Sequence, residues 1–271
     1  MRLDGSTVWI TGASSGIGEA LARELAARGA TLVLSARRAG ELERVRAGLP
    51  RAASHLVLPL DLERPEGFAE AVSKAWIHTG AVDALVNNAG VSQRGLAAET
   101  PMEVGRRILE IGYFGPVGLT QALLPRLRAR GAGRVVVVSS VMGYVGTPMR
   151  SSYAAAKHAL HGYFDSLRAE LWREGVGVTI ACPGYVRSRV SENALTASGA
   201  PQGRSDRPSR RGISCERCAR AIARAMERDR DEVHVGGTEL AGIWLQRLLP
   251  SLFRRIVRKM DFGQERRMKA P

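Results

Sequence analysis

Short apolar runs rich in β-branched residues alternate with longer segments of helical periodicity along almost the whole chain. Residues 8–11, 31–36, 55–60, 84–87, 134–139, 177–182 and 232–235 are the predicted strands, each a short run bounded by turn formers. The run Val135, Val136, Val137 and Val138 has no polar face. A strand that is apolar on both sides belongs in a sheet covered on both faces, and alternation with helices makes that sheet parallel. The pattern therefore predicts an α/β, doubly wound fold of Rossmann type with seven parallel strands.

Two helices carry readable boundaries. Thr100, Pro101 and Glu103 read as an N-cap, a first-turn proline and a capping-box acid opening a long helix that ends near Gly131. A second helix is predicted from about Ser152 to Glu174, with Gly175 as its stop. Residues 191–212, rich in Ser, Gly, Pro and Arg, have no periodicity and read as a long mobile loop. That loop, part of an expected substrate loop spanning 187–213, follows the sixth strand and so overhangs the ligand crevice of an open sheet.

Composition adds limits to this picture. The chain of 271 residues, 45% hydrophobic and 24% charged, suits one globular domain over 1–271. Cys182, Cys215 and Cys218 are too few and too uneven for a disulfide framework, so a reducing, cytoplasmic setting is expected. The N-terminus lacks the pattern of a secretory signal, and no window approaches the ~20 apolar residues of a membrane span. A net charge of +14 is unusual, and the basic residues thicken toward the end of the chain. They carry no nucleic-acid motif and no interleaved aromatic platform, so no nucleic-acid partner is expected. The tail, 240–271, interleaves Trp244, Leu245, Leu248, Leu249, Leu252, Phe253, Ile256 and Val257 with basic residues, and Pro250 breaks it in two. It suits a pocket-closing or subunit-interface helix, and it equally suits peripheral contact with a membrane surface.

The first strand runs directly into TGASSGIG, residues 11–18, and then into an amphipathic helix. Gly12, Gly16 and Gly18, with Ser14, Ser15 and Ile17 between them, form a candidate pyrophosphate turn. Glycine permits the tight turn and the close backbone approach, and the anion then sits on the free N–H groups of a helix N-terminus. Tyr153 and Lys157 are four residues apart and share one helix face. A free phenol titrates at about 10, and a nearby ammonium would lower that value toward the neutral range. Taken alone, the pair would pass for an ordinary amphipathic stripe.

The glycine turn, Asn87-Asn88-Ala89-Gly90 after the fourth strand, Ser140 after the fifth, Tyr153-x-x-x-Lys157, and Pro183-Gly184 after the sixth occur in this order. Together they resemble the classical short-chain dehydrogenase/reductase family over nearly the entire chain. The resemblance implies that Tyr153 exchanges a proton with the substrate oxygen, that Ser140 hydrogen-bonds that oxygen, and that Lys157 also binds the nicotinamide ribose. It implies cofactor contacts from Asp61 and Leu62, from Asn88, Ala89 and Gly90, and from Pro183, Gly184 and Val186. It further implies a homo-oligomer, dimer or tetramer. Ser140 is preferred to Ser139 because it lies thirteen residues before Tyr153, as the family spacing requires. One departure stands out: Gly112 replaces the asparagine that many members carry, which in family terms supports a helix kink and a water linking the lysine to solvent. Glycine tolerates a kink and keeps its carbonyl, so activity is expected to persist and Gly112→Asn to leave it equal or higher.

Cofactor choice is read at the end of the second strand, where an acid binds the ribose 2′-OH of NAD and an arginine binds the 2′-phosphate of NADP. Ala36 stands in the place of the acid and is followed by Arg37 and Arg38. Arg37 suits bidentate phosphate binding and Arg38 stacking on adenine, so NADP(H) is favoured over NAD(H); two solvated arginines are the plain alternative. Cys215-x-x-Cys218 has no second pair, and the five histidines show no ligand spacing with cysteines or acids, so no metal is expected. Residues 91–97, 142–150 and the loop after Tyr185 should line the substrate pocket, and their apolar and small character suggests a hydrophobic carbonyl compound. The expected function is an NADP(H)-dependent oxidoreductase acting on a carbonyl or secondary alcohol. Its rivals are a nucleotide-binding sensor and a membrane-surface interaction protein with weak catalysis.

Overall fold

The structure, a computed structural model, describes residues 1–259, with the side chain of Arg207 outside that description. The chain runs β1 (Thr7–Thr11), α1 (Gly16–Ala27), β2 (Thr31–Ser35), α2 (Ala39–Ala47), β3 (Leu56–Val57), α3 (Phe68–Thr79), β4 (Ala84–Asn87) and β5 (Gln93–Arg94). It continues through α4 (Met102–Leu109), a π-helical segment (Glu110–Phe114), α5 (Gly115–Arg130), β6 (Gly133–Val138), α6 (Ser151–Leu171), β7 (Val176–Pro183) and β8 (Leu195–Thr196). Last come α7 (Arg207–Arg210), α8 (Cys215–Glu227), β9 (Glu232–Val235), α9 (Ala241–Leu248) and α10 (Pro250–Lys259).

Seven strands form one sheet in the order β3-β2-β1-β4-β6-β7-β9, and every pairing in it is parallel. Side chains alternate between the faces of a strand, so each strand feeds two cores. Val8, Ile10, Val136 and Val138 pack with Leu21 and Leu25 of α1 and Ile222 of α8 on one face. Trp9, Val135 and Val137 pack with Val72, Leu123 and Phe164, from α3, α5 and α6, on the other. This is the physical reason the Val135–Val138 run has no polar side. Even the indole nitrogen of Trp9 is satisfied within the core, donating to Ser35 Oγ at 2.8 Å, which in turn donates to Leu58 O at 2.7 Å.

Strand order reverses at β1, which has β2 on one side and β4 on the other. Ligands of open parallel sheets bind in the crevice at such a switch point, beyond the C-terminal strand ends.

Several sequence expectations need correction. The third strand is two residues long rather than 55–60, because it is an edge that pairs only with β2. Leu58 N and Leu60 N still donate to Leu34 O and Ala36 O, while His55 turns inward and accepts from Leu32 N at 3.1 Å. The helix predicted over 100–131 is three segments, and its capping box does not form. Pro101 occupies the N-cap without a side-chain bond, and the Thr100 hydroxyl donates to Leu96 O at 2.8 Å instead. The second helix spans Ser151–Leu171, shorter at its C-terminus than expected. Residues 191–212 are not wholly irregular: β8 pairs in parallel with β5, and α7 follows. Pro250 does divide the tail, into α9 and α10; residues 260–271 of that tail lie outside the described residues.

Candidate active site

β1 delivers the chain into its glycine turn at the switch point. Gly12 has φ +65°, and a Cβ there would lie 2.8 Å from the Ala89 Cα; one on Gly18 would lie 2.2 Å from the Gly12 carbonyl oxygen. Only glycine fits at these two positions. The turn is tied to the next motif by Thr11 Oγ1, which accepts from Asn88 N at 3.0 Å and Ala89 N at 3.1 Å. Asn88 Nδ2 completes the seam by donating to Thr11 O at 2.9 Å. α1 then begins at Gly16 with no side-chain cap, which leaves its first N–H groups for an anion.

A cavity of about 580 Å³ opens from this turn. It is lined by every residue expected at the cofactor and catalytic sites with one exception, Gly18, which lies beneath the turn. Arg37, Arg38, Asp61 and Leu62 border one part, and Ser140, Tyr153 and Lys157 another. Glu63 lies beside Arg37, its carboxylate 3.7 Å from Nη1, and it also accepts from Arg107 Nε at 3.1 Å. Glu63 is a second carboxylate here beside the expected Asp61, and the sequence did not point to it. Arg107, also on the cavity, was missed with it. Arg37, Arg38 and Arg107 outnumber the two acids.

The side chains expected to be catalytic come from two elements. Ser140 follows β6 and its Oγ accepts from Met142 N at 3.2 Å, which fixes the hydroxyl at the cavity wall. Tyr153 and Lys157 lie on the first turns of α6, whose start is held from a distance. Gln93 on β5 is fully buried, and its Oε1 accepts from Ser152 N at 2.8 Å and Tyr153 N at 3.4 Å. No local pattern announces this cap. Lys157 Nζ donates to Val138 O at 2.8 Å and lies 5.8 Å from the Tyr153 ring centre.

Electrostatics modify the expected pairing. Burial pushes the Tyr153 phenol up, against a hydrogen bond from Ser140 and the positive charges of Arg150 and Arg94 that pull it down. Burial lowers Lys157 to about 8. The cations acting most clearly on the phenol are thus two arginines that the sequence reading did not single out. Both line the cavity, and they add charge to segments 91–97 and 142–150, expected from the sequence to be apolar and small in character.

Gly112 sits in the π-helical segment, so this widened turn forms without asparagine. A Cβ at this position would lie 3.2 Å from the Ala156 Cβ, immediately before Lys157.

Behind Lys157, ligand-capable atoms of His161, Cys182 and Glu232 lie within 4.8 Å of one another. Sequence spacing gave no sign of this, because Cys182 is 21 and 50 residues from its neighbours. His161 Nε2 is hydrogen-bonded to Ser139 Oγ at 2.8 Å. Burial lowers His161 to about 4 and raises Cys182 to about 12, so ring and thiol are both neutral near pH 7. Cys215 and Cys218 are also buried free thiols, raised to about 11 and about 12, which keeps them unreactive.

The tail reaches the site from above. Ile243 of α9 and the partly buried Phe253 of α10 pack in one cluster with Val141, Met142 and Tyr153. Among the described residues, no helix is long and apolar enough to cross a membrane.

Comparison with known proteins agrees with this geometry. The short chain dehydrogenase family profile matches residues 6–198. A dehydrogenase/reductase SDR family protein 7-like of Anopheles gambiae is 43% identical over 265 residues, covering 95% of this chain and 84% of that protein. A solved short-chain dehydrogenase from Streptomyces avermitilis superimposes with a TM-score of 0.81 at 31% identity, covering 95% of this chain and 99% of its own. One from Burkholderia phymatum, solved in complex with NAD, gives 0.82 at 25% identity over 93% and 96% of the two chains. The chain belongs to the short-chain dehydrogenase/reductase family, oxidoreductases that act on CH–OH or C=O groups with a nicotinamide cofactor.

Proposed function

We propose that this protein uses NADP(H), in preference to NAD(H), to interconvert a carbonyl and a secondary alcohol in a small molecule with an apolar body, with Tyr153 as acid/base. The observation that carries the reading is the convergence of Ser140, Tyr153 and Lys157 on a cavity that also reaches Arg37 and Arg38. The Gly12 and Gly18 cradle fits a pyrophosphate, and Arg37 with Arg38 and Arg107 fits a 2′-phosphate despite Glu63. The nicotinamide, when bound, supplies or accepts hydride. Tyr153 gives its phenolic proton to the substrate oxygen in reduction and takes it back in oxidation. Ser140 Oγ steadies the charge that develops on that oxygen, and the Lys157 ammonium favours the phenolate left behind. Val91, Val141, Met142 and Leu195 give the substrate's apolar body its wall.

Tyr153→Phe is expected to lower kcat by at least about 100-fold with NADPH binding retained. Turnover equal to the unaltered enzyme would overturn the acid/base role. Arg37→Ala is expected to weaken NADPH binding by about tenfold while leaving NADH binding unchanged; an equal effect on both cofactors would remove the case for NADP(H).

A second reading concerns the tail. Trp244, Leu248, Leu249, Leu252 and Ile256 are exposed on α9 and α10, beside Arg254, Arg255, Arg258 and Lys259. Such a face suits peripheral binding to an anionic membrane surface.

A further inference from the structure

Two arginines stand on the cavity that holds the Tyr153 phenol, and the reaction proposed above gives neither a role. Arg94 on β5 and Arg150, the residue before α6, are each only 8% exposed, and both line the cavity. A buried guanidinium is costly unless its charge and its N–H groups are matched. Arg94 is matched. Its Nε donates to Asp206 Oδ2 at 2.7 Å, its Nη2 donates to the same oxygen, and its Nη1 donates to Ser92 Oγ at 2.9 Å and Gln93 O at 2.5 Å.

Arg150 is matched less fully. Its Nη2 lies 3.5 Å from that same Asp206 oxygen, which already accepts from two nitrogens of Arg94, and its guanidinium carbon sits 5.9 Å from the centre of the Tyr185 ring. Two guanidinium groups therefore share one carboxylate, leaving one unit of positive charge beside the phenol. Five N–H donors in a planar fork are shaped for an oxyanion. Apolar neighbours such as Leu195 and Pro201 on the same cavity would strengthen that attraction by excluding water.

We propose that Arg150, backed by Arg94, binds a carboxylate or phosphate on the substrate, so that the molecule turned over is a keto or hydroxy compound bearing an anionic group. The inference rests on the oxidoreductase reading given above and narrows its substrate class. The nucleotide phosphates do not account for this site, because the glycine turn and Arg37 serve them on other parts of the cavity wall. A net charge of +14 on the whole chain would also draw such substrates in. The competing account gives Arg150 a purely structural task, steadying the loop that carries Asp206.

Two matched pairs of ketones separate these accounts: levulinate with methyl levulinate, and hydroxyacetone phosphate with hydroxyacetone. The unaltered enzyme, with NADPH, is expected to favour the anionic member of at least one pair in kcat/KM by about thirtyfold. The pair with the larger ratio identifies the oxyanion. Arg150→Met brings the ratio close to parity, chiefly through KM, and Arg150→Lys restores part of it because charge returns without the fork. No preference in the unaltered enzyme, or equal losses for both members in Arg150→Met, overturns the inference and leaves the oxidoreductase reading standing.

If Arg150→Met does not fold, Asp206→Asn replaces it. Removing the competing carboxylate should raise the preference for the anion, and a fall overturns the inference. If none of the four ketones turns over, the proposed reaction is what suffers, and calorimetric titration of levulinate and hydroxyacetone phosphate in the presence of NADP+ tests the anion site by itself. Binding that the Arg150 variants abolish supports the site; no binding overturns it.

Discussion

Lys157 and Tyr153 feel the same burial in opposite directions, since losing water disfavours the ammonium and the phenolate alike. Lys157 is brought down to about 8, within reach of ordinary assay conditions. Its charge is present below that value and fades above it. NADPH affinity is therefore expected to fall as pH rises through about 8, and Lys157→Met to flatten that profile; a titration monitored by NADPH fluorescence checks both. His161 supplies a second pH effect. The unfolded chain binds its proton near 6.5, whereas the folded ring resists to about 4. Its contribution to stability is complete above 6.5 and is lost as pH falls toward 4. His161→Gln should lessen the fall of the thermal midpoint across that window, and an unchanged slope would discount the ring. Ser140, Tyr153, Lys157 and Arg37 could be singled out from the sequence, because short fixed spacings and strand ends mark them, and all four line the cavity. Arg94 and Asp206 were not, because the bond between them spans 112 residues, and no local pattern encodes a partner so far away.

Among the elements, the π-helical segment has the clearest consequence. It places a widened turn where family resemblance assigned an asparagine, and it does so with a glycine whose added Cβ would meet Ala156. Gly112→Asn is expected to keep turnover equal or higher, as the sequence suggested. The structure adds a stability loss of about 1 kcal/mol, because Ala156 must shift by a few tenths of an ångström. Thermal unfolding alongside steady-state kinetics reads the two effects separately. A large loss of turnover in a folded variant would mean that the glycine itself serves the proton path. The capping-box expectation at Thr100 failed for a related reason. The hydroxyl had a nearer acceptor in Leu96 O, and it also accepts from Gln93 Nε2 at 3.2 Å. Local capping signals are overridden when a tertiary partner competes for the same oxygen.

At the scale of the molecule, the two-faced sheet followed from the apolar strands, and the extra β5–β8 pairing did not, since two-residue strands leave no periodic trace. The tail divides its duties in a way the sequence left open. Ile243 and Phe253 pack in the cluster that includes Val141, Met142 and Tyr153, while Trp244, Leu248, Leu249, Leu252 and Ile256 remain exposed. Co-sedimentation of the full chain with vesicles rich in phosphatidylserine is expected, with loss on replacing Leu248, Leu252 and Ile256 by serine. Equal recovery with purely zwitterionic vesicles, or none with either, would turn attention to a second copy of the chain as the cover for this face.

The short strand β5 reaches in three directions. Its backbone pairs with β8 in the segment after β7, its Gln93 side chain anchors the start of α6, and its Arg94 side chain grips Asp206 farther along the same segment. Two residues thus make a rivet through loop and helix together. Any displacement of the segment after β7 would therefore pull on the start of α6, and with it on Tyr153, so the cavity's rim and its wall are mechanically one piece.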